Sequence, residues 1–280
     1  MKLDLVMWTY NSEKTLSYTL NSIKKAIPEK FINQKIIVDG GSNDRTALIA
    51  DFFKWNFIKS KRKGIPFQAN TALELVETDI FASFEHDIVL CPNWFYLIKN
   101  KLDNDKVAVA QGVRLSTNKA LRAIEKYGLL EDYIRYSSID NNIYKTKIIK
   151  DLGGFDEKFI VSTDRKLQDK IKENGYKWLI CKNIISDHLK PSVRKSAKHY
   201  QKNHLLRDYK EDFKPVFLYS KVKIKSEKRL EFLDSLSKLF SSFIIGFVIA
   251  RKYKIPEVTY CYPYWRLKKL QTAIKVNMYE

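Results

Sequence analysis

Apolar and polar positions in the first half of the chain alternate between two periods. Leu3-Asp4-Leu5-Val6-Met7-Trp8 is a near-continuous apolar run that reads as a strand, and beyond Asn11-Ser12 the residues Leu16, Leu20, Ile23 and Ile27 recur at helical spacing. Lys35-Ile36-Ile37-Val38 predicts a second strand ending at Asp39-Gly40-Gly41-Ser42-Asn43-Asp44, with a helix over Thr46 to Phe53. Phe57-Ile58 closes a weak third strand, Phe67 to Val76 reads as helix, and an aromatic-rich fourth strand runs from Thr78 into Glu85-His86-Asp87. Pro92 starts a further helix, and Val107 to Gln111 is a fifth strand. Strands separated by helices imply crossover connections, hence an α/β layer with a mostly parallel sheet flanked by helices. Between residues 118 and 190 the pattern loosens into helices, the glycine turn Gly153-Gly154 and a last strand near Lys177 to Cys181.

In a parallel sheet the C-terminal strand ends share one rim, where open α/β sheets bind ligands. Three predicted ends bring polar groups there: Tyr10-Asn11 after the first strand, Asp39 after the second, and Glu85 with Asp87 after the fourth. Glu85 and Asp87 are two apart and share a face, which suits a divalent cation that takes oxygen ligands and completes its shell with water and phosphate. Neither G-x-G-x-x-G nor a Walker A sequence is present, so nothing points to dinucleotide or γ-phosphate chemistry.

The chain has 280 residues and a formal net charge of +19. Residues 191–280 carry 20 Lys/Arg against 8 Asp/Glu, a net of +12, so the excess sits in the tail. Such a tail suits an anionic partner that the body need not share. Cys91, Cys181 and Cys261 are far apart and form no C-x-x-C, so neither a disulfide framework nor a zinc site is expected, and a reduced, cytoplasmic compartment fits. The opening residues are too short an apolar run for a signal peptide and read as the first strand. Leu239 to Ala250 is the greasiest segment, yet twelve helical residues reach only about 18 Å and cannot cross a hydrocarbon core. Arg251-Lys252 follow, then Tyr260, Tyr262, Tyr264 and Trp265 beside Arg266, Lys268 and Lys269, a mixture that suits the interface of an anionic membrane. The competing reading is a helix packed on the catalytic domain or in a homodimer contact.

The order of motifs over roughly residues 3 to 190 resembles the family 2 glycosyltransferases of the GT-A fold. Their T-Y-N-x-E stands as Thr9-Tyr10-Asn11-Ser12-Glu13, and their V-D-D-G-S-x-D-x-T as Val38-Asp39-Gly40-Gly41-Ser42-Asn43-Asp44-Arg45-Thr46. The metal-binding D-x-D stands as Glu85-His86-Asp87, G-G-F-D-E as Gly153-Gly154-Phe155-Asp156-Glu157, and E-D-x-D-L as Thr163-Asp164-Arg165-Lys166-Leu167. Gly40, Glu85, Thr163 and Lys166 depart from acidic positions of the family pattern; Asp164 is retained.

The resemblance implies a GT-A Rossmann-like domain over residues 1–190, with a nucleotide-sugar half to about 115 and an acceptor half to 190, and the tail's own pattern suggests a helical C-terminal extension over 191–280. The resemblance implies inverting, metal-dependent transfer from a nucleotide sugar, a UDP-sugar first among them, and the tail makes a hydroxyl of a lipid-linked or growing glycan the expected acceptor. Asp164 is expected as the base. Tyr10, Asn11, Glu13, Asp39, Asn70, Glu85, His86 and Asp87 are expected around the donor, and Asp87, Glu85 and His188 around a Mn²⁺ or Mg²⁺ ion. Trp94, Gly153, Gly154 and Phe155 are expected on the acceptor side, with Lys61-Arg62-Lys63 near phosphate or solvated. The protein is then expected to be cytoplasmic and peripheral on the inner face of the cell membrane, with no nucleic-acid partner. A sugar nucleotidyltransferase and a non-enzymatic basic nucleic-acid-binding protein are the alternatives, and neither explains Asp164 in register with its motif.

Overall fold

β1 (Leu3–Thr9) is buried along its whole length because it has a parallel neighbour on each side, β2 (Ile32–Asp39) and β4 (Ile80–Glu85). The computed structural model describes residues 2–130, 137–159, 163–189 and 221–278. β3 (Asn56–Lys59) extends the sheet beyond β2, also parallel. With β5 (Ile88–Val89), β6 (Val107–Ser116), β7 (Asn142–Lys145) and β8 (Lys177–His188), the order is β3-β2-β1-β4-β7-β6-β8-β5. β7 is antiparallel to both β4 and β6, so β6 runs in the same direction as the first four strands. The mixed α/β architecture with a mostly parallel sheet is the one expected; the four-residue β7 was not expected and is too short to display a period.

Alternate residues of β1 feed two cores, as a period of two requires. Leu3, Leu5 and Met7 pack with α1 (Leu16–Ala26), α2 (Thr46–Phe52) and α4 (Trp94–Ile98). Val6 and Trp8 pack on the other face with α3 (Ile65–Leu75), α6 (Thr146–Asp151) and α7 (Thr163–Glu173). Chain order along the sheet reverses at β1, whose connection leads to β2 on one side while β4 returns on the other, so the ligand crevice of such a sheet falls at the C-terminal ends of β1 and β4. Element bounds also differ from the sequence reading. Pro92 lies in a turn and α4 starts at Trp94, after Asn93 with φ 58, and β8 continues past Cys181 to His188.

One polar residue interrupts β1. Asp4 is fully buried, and its carboxylate accepts from Asn33 Nδ2 at 2.9 Å, Gln34 Nε2 at 3.1 Å and the backbone N–H groups of Glu77 and Thr78 at 2.6 and 3.1 Å. Its own N–H donates to Thr78 Oγ1. Four donors replace the water that burial removes, which is the condition for keeping such a group inside. The result ties β1 to β2 and to the turn that leads into β4.

The chain divides into two compact units, residues 1–115 with 135–189, and residues 116–134 with 190–280. In the second unit, Ala120, Leu121, Ala123 and Ile124 of α5 (Lys119–Leu130) pack with Ile249 and Ala250 of α8 (Lys221–Tyr253) and Val258 and Tyr262 of α9 (Val258–Met278). The segment 116–134 therefore groups with the C-terminal helices and not with the acceptor half assigned to it from sequence, and the boundary expected at residue 190 lies outside the described residues. No helix among the described residues is long and apolar enough to cross a membrane.

Replacing Asp4 with alanine leaves four donors without an acceptor. Asp4→Ala should lower the unfolding free energy by about 3 kcal/mol, read by urea denaturation.

Candidate active site

The loops after β1 and β2 hold each other. The Asn11 N–H donates to Ser42 Oγ at 2.8 Å and Asn11 Oδ1 accepts the Asn43 N–H at 3.0 Å, with Asn11 at φ 47. The Ser12 N–H donates to Thr46 Oγ1, the Glu13 N–H donates to Asp44 Oδ2, and the Glu13 carboxylate accepts from the Arg45 N–H and Nε. Asp39 is buried, and its carboxylate accepts from Thr9 Oγ1, Ser42 Oγ and the N–H groups of Gly41 and Ser42. Asn11, Glu13 and Asp39, expected to touch the donor, are thus engaged in building the rim. Tyr10 is the aromatic residue this loop presents to solvent, 52% exposed, with Lys63 Nζ 5.6 Å from its ring centre. A side chain at Gly40 would meet the Gln68 amide at 3.4 Å. That amide donates to the carbonyls of Thr9 and Val38, so Gln68 occupies the place beside the turn.

At the end of β4 the chain turns through Glu85-His86-Asp87 into β5. β5 pairs with the end of β8, Ile88 opposite His188, and this brings His188 Nε2 within 3.1 Å of Asp87 Oδ2. Ligand atoms of Glu85, Asp87 and His188 lie within 4.8 Å of one another. Asp87 Oδ1 is buried with no hydrogen-bond partner among the described residues. Burial alone would raise the Asp87 carboxyl, but the His188 hydrogen bond and the charges of His188, His86 and Arg114 outweigh it and hold the group well below the usual carboxylate range. An ionised carboxylate with one orphaned oxygen, a second carboxylate and an imidazole form a donor set that fits Mn²⁺ or Mg²⁺. His86 is held apart from this set, its Nδ1 2.9 Å from Thr15 Oγ1.

Sequence reasoning missed the two residues that organise the acidic cluster. Arg114 on β6 reaches Glu85 Oε2 at 3.2 Å and forms a close ion pair with the fully buried Asp140, which also contacts Ser138. Burial pushes the Asp140 carboxyl up to about 7 although Arg114 opposes it, and the charges of Glu85 and Asp87 push the same way. Asp164, on the first turn of α7, is raised by burial, and the Arg165 N–H and the Arg114 charge oppose without cancelling it. Arg114 is therefore the positive charge shared by Asp87, Asp140 and Asp164. The available signal was an arginine inside the apolar run of β6, beyond the Gln111 at which the strand was expected to end.

The glycine turn is built around Asn70. Asn70 Oδ1 accepts the Phe155 N–H at 2.8 Å while Nδ2 donates to the Phe155 carbonyl and to Glu157. Gly153 and Gly154 have φ 76 and 65, and a Cβ at Gly154 would lie 2.7 Å from Asn70 Oδ1, so only glycine fits there. Arg62 pairs with Glu157 at 2.9 Å and lies over the Phe67 ring, which engages the centre of the basic run. Asn70 is consequently a brace of the glycine turn. Phe155 is buried edge-on to Trp8 and supports the turn from below. Trp94 is corrected outright: it is 0% exposed, edge-on to Phe84 in the core, and cannot pack on a sugar.

The chain belongs to glycosyl transferase family 2, which it matches over residues 4–176. By sequence, no curated protein matches it. By structure it is similar to the mannosyltransferase PcManGT from Pyrobaculum calidifontis, solved with GDP-Man and Mn²⁺, at TM-score 0.65 and 16% identity over 99% of this chain and 87% of that one. It is similar to residues 1–349 of S. aureus TarS at TM-score 0.55 and 17% identity, covering 99% and 90%. Glucosyl-3-phosphoglycerate synthase from Mycobacterium tuberculosis, solved with Mn²⁺, UDP and glucosyl-3-phosphoglycerate, aligns at TM-score 0.51 and 13% identity, covering 73% and 78%. The fold is the GT-A fold, and the protein is a glycosyltransferase.

Removing Arg114 strands two carboxylates. Arg114→Met should cost about 3 kcal/mol of stability at pH 8 and less at pH 5. Asp140 has a raised folded-state pKa and is already neutral at the lower pH, so its charge needs a partner only as pH rises through about 7. Denaturant unfolding at the two values measures both.

Proposed function

We propose that the protein is an inverting glycosyltransferase that moves a sugar from a UDP-sugar to a hydroxyl of a lipid-linked or growing glycan. The observation that carries this reading is the pairing of a low-pKa Asp87 with a free oxygen and a raised-pKa Asp164, both within reach of the Arg114 charge. A divalent cation, when bound by Asp87 with Glu85 and His188, supplies positive charge to the departing diphosphate. Support for a nucleotide donor comes from the similar structures solved with GDP-Man and with UDP.

The residues of this chain divide the work. Tyr10, over the interlocked rim, offers an exposed ring to a nucleotide base. Asp164 takes the proton of the acceptor hydroxyl as its oxygen bonds to the anomeric carbon and the bond from that carbon to the diphosphate oxygen breaks. A base works best with a pKa raised toward the working pH, and burial supplies the rise at Asp164. The Gly153-Gly154 turn, pinned by Asn70, borders the acceptor side.

Asp87→Asn should abolish Mn²⁺-dependent thermal stabilisation by UDP, which for wild type at 100 times Kd is worth about 2.7 kcal/mol; transfer that continues undiminished in excess EDTA removes the metal from the mechanism. Asp164→Asn should lower kcat by roughly 10²–10⁴ with donor affinity little changed. In wild type kcat/KM should fall as pH drops through a midpoint above the ordinary aspartate value of 3.8, because the base must be ionised, and this limb should vanish in the Asn variant.

A further inference from the structure

The apolar content of α8 divides between two faces. Ser242, Gly246, Ile249 and Ala250 are buried, and the last two belong to the cluster with α5 and α9. Gly246 is packed so closely that an added Cβ would lie 3.2 Å from the Val258 carbonyl. On the opposite side Phe240, Phe243, Ile244, Phe247 and Val248 are exposed, none by less than 45% and Ile244 by 72%. Their spacing by three and four residues sets them in one stripe, about 12 Å long. Arg251 continues the same rows, and Arg251, Lys252 and Lys254 are exposed. The aromatic residues of α9 that the sequence assigned to a membrane interface divide: Tyr260 is exposed, whereas Tyr262 is buried and Tyr264 and Trp265 are half-buried against the cluster.

We infer that this phenylalanine stripe is the face by which the protein lies on an anionic lipid bilayer, with Phe240, Phe243, Ile244, Phe247 and Val248 in the headgroup boundary and Arg251 and Lys254 against the lipid charge. α9 holds the stripe outward. Charge chooses the occupant. A second copy would bring together two segments of net +12 each, which repel, whereas an anionic bilayer attracts them. Nucleic acid matches the charge but leaves five apolar side chains in water. An apolar insertion combined with basic residues is the pair of signals that durable attachment needs.

The test is flotation of the full-length protein with vesicles of phosphatidylcholine plus phosphatidylglycerol, beside vesicles of phosphatidylcholine alone. Wild type should float with the mixed vesicles and detach partly in high salt. Phe243→Glu with Phe247→Glu should cut recovery roughly tenfold or more, and Arg251→Glu with Lys254→Glu should weaken binding to the anionic vesicles and reduce its salt dependence. Circular dichroism melts check folding, and Phe240→Ser with Ile244→Ser serves as a second stripe variant with the same expected loss. Wild type that ignores anionic vesicles, or stripe variants that float as well as wild type, overturns the proposal. So does a wild-type dimer in sedimentation equilibrium that the stripe variants convert to monomer, because the stripe then covers another copy. Flotation uses neither donor nor acceptor, so its outcome is separate from that of the proposed transfer reaction.

Discussion

The site rests on the register of three parallel strands. Thr9 stands opposite Asp39 and Trp8 opposite Glu85, so the chain leaves β1, β2 and β4 at one level and the three loops meet on one rim. A slip of one residue in either pairing would turn the apolar side chains of β1 from one core into the other. Alternation of Leu3, Leu5 and Met7 with Val6 and Trp8 between two buried clusters forbids it. Asp4 adds a polar lock at the opposite end, where its four accepted hydrogen bonds are satisfied in one register. Rigid positioning at the rim is thus a consequence of packing far from it.

Motif residues in this protein mostly hold other motif residues. Asn11, Glu13 and Asp39 are tied across the first two loops, and Asn70 is tied across the glycine turn. The groups that these ties leave for chemistry are fewer: the exposed ring of Tyr10, the unpartnered oxygen of Asp87, and Asp164. A substitution in the first set alters the shape of the rim, whereas one in the second alters chemistry on an unchanged rim.

The sheet was legible because long apolar runs and helical repeats announce themselves, as in β1 and α1. β7 was not, since four residues beginning with Asn142 show no period, and with it went Asp140, which β7 brings beside Arg114. Trp94 was misread because sequence shows an aromatic after an acidic turn but not which way it points, and here the core against Phe84 claims it. Asp87 with His188 was legible through the motif, while their contact depends on β5 pairing with a β8 longer than its apolar pattern suggests. Of the basic tail, the described residues 221–278 are mostly helical, but the outward face of α8 is visible only once α5 and α9 cover its other side.

Four carboxylates share one arginine, and burial decides how the charge is distributed. Asp140, wholly enclosed, is pushed to about 7, so near neutral pH it sheds much of its charge by holding a proton. Asp87 is held ionised by His188 at its flank, and Asp164 lies between these extremes, raised but opposed by Arg114 and by a helix N–H. Negative charge is therefore concentrated beside the free oxygen of Asp87, where it favours a cation, and is thinned at Asp140, where no cation could enter. Environments that push paired carboxylates apart in this way are how one cluster supplies both a fixed charge and a proton acceptor.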